Sequence, residues 1–457
     1  MIQAHLVDVR SFIDVMPFGR RQIGILALIF SVIACDGMDI GIMGFAAPEL
    51  LRTWKISKAE MGSVLSSVFF GMAAGAAIAG PIGDRFGRKI LVAASVTWFG
   101  LTTLLSALAP NVSILLAIRA LTGIGLGAVI PGALALLAEY APRRKRSLAL
   151  TIAYSGFTAG ATLTGLSAAW LIPIFGWKIT LLLAGLISLV LAGYLIVRLP
   201  ESVSFLALKQ RTTSIPRILS QIFPGTTFPS EAQFWLPRET DVENRKSALL
   251  SPRYAITVVM LAICYFMGTL VTYIIVGWLP VLSRSVGYTL AEGAVVTAQF
   301  TLAGPLGSVC VGYLMDLTNG RKILMVTFLI SAILLAVSSV ASKEFIAMAI
   351  FMLTLGFFFH GTMTGLQALA PQSFPTSARA SGVSFMHVAG RLGAIGSGAL
   401  GGFLLELGWS FSKIFVTLSI PMLIGLVAMT VIYLQHSTLK HGGLSQDDSN
   451  GKIKSAT

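Results

Sequence analysis

Uncharged apolar stretches of roughly 20 residues, the length that crosses a hydrocarbon core, recur along almost the whole chain. Lipid offers a backbone amide no hydrogen-bond partner, so each such stretch must be a helix or a strand of a closed barrel. Barrel strands alternate apolar and polar residues; these runs are apolar all round. The 457 residues are 55% hydrophobic and only 11% charged, against about 25% charged in soluble domains. The pattern predicts an all-α membrane protein with twelve spans, near 23–48, 60–80, 90–109, 112–138, 148–172, 177–198, 254–282, 291–313, 322–341, 345–368, 380–404 and 412–434.

The net charge of +14 invites a nucleic-acid reading, but the placement of the charge argues against it. Even-numbered connections hold Arg85, Arg88 and Lys89, the run Arg143 to Arg146, eight basic residues from Arg198 to Arg253, Arg321, Lys322 and Arg379. Odd-numbered connections hold only Arg52, Lys55, Lys58, Lys178, Arg284, Lys343 and Lys413. This asymmetry predicts cytoplasmic even loops and cytoplasmic termini, with attraction to anionic lipid as a lesser effect. No nucleic-acid partner is expected. Residues 1–20 carry Asp8, Arg10, Asp14 and Arg20 without an apolar core, so no cleaved signal peptide is expected. Cys35, Cys264 and Cys310 fall inside spans at unpaired spacings; they read as small core hydrophobes, and no metal site is expected.

An internal repeat sets the organisation. Gly80-Pro-Ile-Gly-Asp84-Arg85-Phe-Gly87-Arg88-Lys89 returns as Gly312-Tyr-Leu-Met-Asp316-Leu-Thr-Asn-Gly320-Arg321-Lys322, with one residue added. Glu139-Tyr-Ala-Pro142-Arg-Arg-Lys-Arg146 returns as Gln372-Ser-Phe-Pro375-Thr-Ser-Ala-Arg379. Two matches at nearly one offset predict two pseudo-symmetric six-helix halves, the layout of a transporter. The expected segments are a cytoplasmic N-terminus (1–22), an N-terminal half (23–204), a cytoplasmic linker (205–252), a C-terminal half (253–435) and a polar, disordered tail (436–457). The linker is expected to carry one short amphipathic helix on the membrane surface.

Gly80 to Lys89 resembles the signature loop of the major facilitator superfamily. Cys35-Asp36-Gly37-Met38-Asp39 with Gly44-Phe-Ala-Ala-Pro48 resembles the Asp-Gly-x-Asp first helix of its aromatic acid:proton symporters. Arg119-Ala-Leu-Thr-Gly123-Ile-Gly125, Pro200-Glu201-Ser202, Gly277-Trp278-Leu279-Pro280 and Gly390-Arg391-Leu-Gly393 extend the likeness over residues 20–435. Met38 stands where that family usually has an aromatic. The resemblance implies the major facilitator fold and proton-coupled symport of a small aromatic carboxylic acid by a monomer in a bacterial inner membrane. The proton gradient supplies the energy and no cofactor is needed. It leaves open which acid is carried.

Of 33 basic residues only Arg119 and Arg391 fall mid-span; of 19 acids, Asp36 and Asp39 lie within the first span and Glu139 at the end of the fourth. A charge at the bilayer centre costs about 3 kcal/mol even on lenient scales, so each is a functional candidate. The positions one repeat away from Asp36, Asp39, Arg119 and Arg391 are Gly268, Thr272, Met352 and Thr158, all uncharged. Charges that break the repeat suit a single site shared by both halves.

Arg391 is expected to bind the substrate carboxylate through its planar fork, with His387 on the same helical face. The competing reading is a structural brace. Asp36 and Asp39 lie about 60° apart around the helix, and crowding with desolvation should raise one pKa toward neutrality. Either is a candidate proton carrier; the competing reading is a salt bridge to Arg119 or Arg391. Arg119 is expected to exchange between the Asp pair and Glu139 during coupling. Gly80, Asp84, Arg85, Gly87, Arg88, Asp316 and Arg321 are expected to form gates at the cytoplasmic surface, the glycines allowing a tight turn. His360, Thr364 and Gln367 share one face of the tenth span and could line a polar cavity. Tyr273, Trp278, Phe45 and Phe358 could stack on an aromatic ring.

Two other functions compete. A proton-coupled exporter of organic acids or drugs usually carries a Gly-Pro pattern in the fifth span; here Ala153 to Gly165 contains no proline. A membrane enzyme or sensor would need a catalytic or metal set, and the five histidines are scattered. The chain is therefore not expected to be an enzyme.

Overall fold

In a computed structural model, the described residues are 6–209, 214–224, 226, 228, 233–235, 252–341, 344–374 and 379–454. Among them, twelve helices are long and apolar enough to cross a membrane. The N-terminal half supplies α2 (Arg20–Trp54), α3 (Lys58–Phe86), α4 (Arg88–Ala107), α5 (Val112–Tyr140), α6 (Arg143–Phe175) and α7 (Lys178–Arg198). Local chemistry sets their ends. Ser57 and Glu60 form a reciprocal capping box that starts α3. Gly87, at φ +104°, ends α3 and begins α4, a conformation that suits glycine.

The C-terminal half supplies α10 (Pro252–Ser285), α11 (Leu290–Leu302), α12 (Gly304–Leu317), α13 (Gly320–Ala341), α14 (Phe345–Gln372), α15 (Arg379–Glu406) and α16 (Phe411–Lys454). The eighth span, expected as one run over 291–313, is broken into α11 and α12 at Ala303. Pro305 lacks an N–H and its ring opposes an uninterrupted helix; a new ladder begins at Gly307 N–H to the Ala303 carbonyl, 2.9 Å.

The chain forms two compact units. The first comprises Met1–Thr240, Ile274–Leu302 and Ser397–Gly408; the second comprises Asp241–Tyr273, Ala303–Gly396 and Trp409–Thr457. In the first, α2 packs on α6 and α3 on α5, while α4 packs on α5 and α7. Small residues let the backbones touch. A Cβ on Gly71 would sit 1.9 Å from the Ala120 carbonyl oxygen, and one on Gly160 1.9 Å from that of Ala34. Such seams suit helices in lipid, where side-chain burial brings no hydrophobic gain and close van der Waals contact must substitute. In the second unit α13 packs on α16, and α14 on α12 and α13.

The N-terminal segment and part of the linker belong to the first unit; of their structure the sequence suggested one short amphipathic linker helix, but not the strand pair or the N-terminal helix. Leu6–Asp8 pairs in parallel with Gln233–Trp235. Helix α1 (Val9–Val15) follows, and its Asp14 accepts a bond from the Arg143 N–H at the start of α6, 2.7 Å. In the linker, α8 (Val203–Leu208) precedes α9 (Ile215–Ile222), which buries Ile215, Leu219 and Ile222 and packs on α2 and α8. The remaining linker residues near 236–251, and the side chains of the tail beyond 435, lie outside the described residues. So do Lys343 and the stretch 375–378 of the second repeat. Cys35 and Cys264 are buried as expected, but Cys310 is exposed on the side of α12.

Candidate functional site

In the first unit, three helices meet at one carboxylate. Asp39 on α2 and Arg119 on α5 form a bidentate pair, with Nη2 donating to Oδ2 at 2.8 Å and Nη1 to Oδ1 at 3.1 Å. Nη2 also reaches the Asp39 backbone carbonyl at 3.3 Å. The Thr103 hydroxyl of α4 donates to Oδ1 at 2.5 Å. The two charged side chains are only 2% and 1% exposed. Asp36, one turn away, is fully buried. Glycines make the meeting possible: a Cβ on Gly37 would lie 2.0 Å from the Phe157 carbonyl oxygen of α6, and one on Gly123 2.0 Å from that of Val68 on α3. The Asp-Gly-x-Asp and Arg-x-x-x-Gly spacings are thus packing motifs wrapped around charges. An acid held by a guanidinium fork cannot accept a proton without loosening that fork, so protonation and helix contact are linked here.

Glu139 does not share this cluster. It accepts from the Ser202 hydroxyl (2.6 Å) and the Ser204 N–H (3.3 Å) at the basic end of the unit. The expected exchange of Arg119 between the Asp pair and Glu139 has no direct contact in its support. Phe45, expected to face a ligand ring, is buried against Ala168, Ile172 and Ala294. It is a packing residue in this arrangement.

The signature loop lies at the same basic end. Asp84 pairs with Arg88 one turn on (2.7 Å), and Arg85 lies over the Phe86 ring at 5.2 Å. The Glu201 carboxylate accepts from the Lys89 N–H (3.0 Å), capping α4 at its positive end. A Cβ on Gly87 would lie 2.3 Å from that carboxylate, so both backbone angle and space select glycine there. Gly80, expected to share the turn, instead lies inside α3 with open space around it. The tight turn needs one glycine and Gly87 provides it.

In the second unit a separate cluster is built on α10, α14 and α15, the helix that carries the half-buried Arg391. Tyr265 of α10 sits at the centre of the cluster. Its ring meets His387 edge-on (5.1 Å, 81°) and its hydroxyl accepts from Gln367 Nε2 of α14 at 3.2 Å. Gly390 lies against the same ring: a Cβ there would be 2.4 Å from Tyr265 Cδ1, and one on Gly393 would be 2.4 Å from the Phe266 carbonyl oxygen. The Thr269 hydroxyl donates to the Gly390 carbonyl at 2.7 Å. The Gly-Arg-Leu-Gly spacing therefore seats α15 on α10 with Arg391 between the contacts. His387 and Gln367 are thus associated through Tyr265, a residue sequence reasoning missed, and Arg391 follows Gly390, which lies against the same ring. The signal of Tyr265 was weak, because one tyrosine among many span aromatics carries no periodicity of its own.

Other expected residues lie apart. Thr364 bonds Ser308 of α12 (2.8 Å), and His360 stands edge-on to Phe359 at 6.1 Å. Tyr273 is half-buried on α10, Asp316 is exposed on α12 and Arg321 half-buried at the start of α13. Among the described residues no group of three His, Cys, Asp or Glu could hold a metal ion.

The major facilitator superfamily model matches residues 29–298 and 261–455. The chain is 38% identical to the 4-hydroxybenzoate transporter PcaK of Pseudomonas aeruginosa, covering 91% of this chain and 93% of that one. It is 39% identical to the gallate transporter of Pseudomonas putida, covering 91% and 92%. With the 3-(3-hydroxy-phenyl)propionate transporter of Escherichia coli it shares 32% identity over 84% and 87%. Among solved structures, the inward-open xylose transporter XylE from E. coli aligns with a TM-score of 0.69 at 16% identity, over 90% of this chain and 95% of that one. That likeness is of fold alone. Twelve spans, a repeated half and full-length similarity to these carriers identify the chain as a multi-pass membrane transporter, not an enzyme, belonging to the major facilitator superfamily and its aromatic acid:proton symporter family.

Proposed function

We propose that this chain takes up a small aromatic carboxylic acid together with a proton, across a bacterial inner membrane, by alternating access. The Asp39–Arg119 pair carries the proposal: a buried ion pair costs several kcal/mol per ion in desolvation, and a transport cycle that opens it can use that energy. A proton arriving at the Asp36/Asp39 site releases Arg119, and its departure restores the pair. Arg391 takes the substrate carboxylate by a bidentate contact, while His387, Gln367 and Tyr265 offer an edge and polar groups to a substituted ring. The relatives' substrates, all aromatic carboxylic acids, support this substrate class. The gradient serves as the energy source without a cofactor, the termini are cytoplasmic and one copy suffices.

One anion moving with one proton is electroneutral, so a pH gradient drives the cycle and a membrane potential alone does not. The test is uptake into proteoliposomes of radiolabelled 4-hydroxybenzoate, gallate, benzoate and nicotinate, with xylose as control. Accumulation of at least one acid under an acid-outside gradient is expected. Uptake indifferent to that gradient removes the proton, and uptake of xylose in place of every acid removes the substrate class.

A further inference from the structure

We infer that Thr103 is a positioning residue that holds Asp39 in both of its protonation states; the inference rests on the reading of Asp39 as a proton-carrying acid. Thr103 is 1% exposed, and its hydroxyl donates to Asp39 Oδ1 at 2.5 Å. It reaches Asp39 from α4, whereas Arg119 reaches it from α5. The two partners behave differently when a proton arrives. A guanidinium has only donors, so a protonated carboxyl gives it one acceptor fewer and presents a hydrogen it cannot accept. A hydroxyl both donates and accepts. By rotating its hydrogen, Thr103 donates to the carboxylate and then accepts from the acid without moving its oxygen. Neither a valine nor an alanine can do either.

The surroundings leave few substitutes. Ionisable side chains facing Asp39 are Arg119 from α5, with Asp36 and Cys35 on its own helix. The membrane-embedded parts of α3, α4, α6 and α7 contribute no carboxylate, imidazole or ammonium. The nearby Thr164 hydroxyl serves the carbonyls of Gly160 (3.0 Å) and Met38 (3.4 Å) instead. Ser106 and Thr102, on the same helix as Thr103, return their hydroxyls to α4 carbonyls. Thr103 is thus the α4 hydroxyl whose bond crosses from its own helix to the acid.

The sign of the effect follows. A donated bond to a charged acceptor is worth more than one to a neutral acid, so Thr103 favours the carboxylate and its loss favours protonation. Loading from outside fails once the external solution is too alkaline to supply the proton. In Thr103→Val the alkaline limb of uptake therefore moves upward, by about one pH unit for a charge-assisted bond, and maximal rate falls because release inside is slower. Thr103→Ser restores the wild-type limb.

The experiment measures initial uptake of radiolabelled 4-hydroxybenzoate, or of gallate where that is the acid carried, from external pH 5 to 9. It compares wild type with Thr103→Val, Thr103→Ala, Thr103→Ser and Asp39→Asn. An upward shift in Val and Ala with rescue in Ser supports the inference. A lowered rate at an unchanged limb in the Val and Ala variants overturns it and leaves Thr103 a packing residue. If Val does not yield folded protein, Ala and Ser decide the matter between them. Asp39→Asn separates the two layers: gradient-driven accumulation in that variant overturns the reading of Asp39 itself, whereas its loss beside an unshifted Thr103→Val overturns only the role of Thr103.

Discussion

At the scale of single residues, the charge at Asp39 is tied to its surroundings on every side, and that makes its removal informative. Breaking one partner of a buried pair leaves the other charge uncompensated, at a cost of roughly 3–5 kcal/mol, whereas replacing both by apolar groups is often neutral. Asp39→Ala should therefore lower the melting midpoint of the detergent-solubilised protein sharply, and Asp39→Ala with Arg119→Leu should regain most of it. Both should lose accumulation. A double variant as unstable as the single one would mean that Asp39 contributes through its packing rather than its charge. Around Arg391 the corresponding residue is Tyr265. Tyr265→Phe keeps the ring against Gly390 and His387 but removes the acceptor for Gln367. A bond worth about 1 kcal/mol predicts a rise of about fivefold in the KM for a hydroxylated aromatic acid. Maximal rate should hold; a fall in rate with unchanged KM would place Tyr265 in the conformational step instead.

At the scale of helices, the seams are set by glycine and can be tested by adding one methyl group. Gly71→Ala places a Cβ 1.9 Å from the Ala120 carbonyl, which is backbone and cannot rotate away. Gly193 on α7 has nothing within 4 Å. Gly71→Ala should abolish folded yield, judged by size-exclusion profile of a fluorescent fusion, while Gly193→Ala should leave it unchanged. What was legible beforehand divides along the same line. The spans were readable because apolar length is a local property, and the halves because Asp84-to-Lys89 and Asp316-to-Lys322 repeat in sequence. Asp39 and Arg119 were readable because a mid-span charge is rare. Their pairing was one of two readings then open, since nothing local distinguishes a salt bridge from a free acid. Thr103 and Tyr265 were not readable, because a threonine or a tyrosine becomes special only through what a distant segment brings to it; Glu201 stood out in the Pro200-Glu201-Ser202 motif, but its capping of α4 did not. The break at Ala303 has its local cause in Gly304-Pro305, but the apolar run continues through it, so apolar length alone does not reveal it.

At the scale of the whole chain, the division into units does not follow the division into halves. Ile274–Leu302 and Ser397–Gly408, from the C-terminal half, belong to the compact unit built on the N-terminal half. They join it at the end opposite the Arg88 and Arg143 loops. There the Lys58 ammonium donates to the Leu405 carbonyl (2.9 Å), its N–H to the Glu406 carboxylate (3.2 Å), and the Ala399 N–H to the Ser66 hydroxyl (3.0 Å). The hydroxyls of Thr162 and Thr301 also meet, at 2.8 Å. Backbone contact at glycine makes this possible: a Cβ on Gly62 would lie 2.5 Å from the Gly398 carbonyl oxygen, and one on Gly44 2.4 Å from that of Val276. For a carrier working by alternating access, contacts at this end must form and break once per cycle. A larger residue at Gly62 opposes their formation without touching Asp39 or Arg391. Gly62→Leu should therefore abolish net accumulation and hold this end apart. The readout is a cysteine at Thr162, 5% exposed here, in a background with the exposed Cys310 replaced by Ser. Membrane-impermeant maleimide added from outside should label it about tenfold faster in Gly62→Leu than in its parent, as expected when a contact worth about 1.4 kcal/mol is lost. Lost uptake with unchanged labelling would show that Gly62 serves folding rather than the cycle, and labelling only from the inner side would reverse the proposed orientation of the chain.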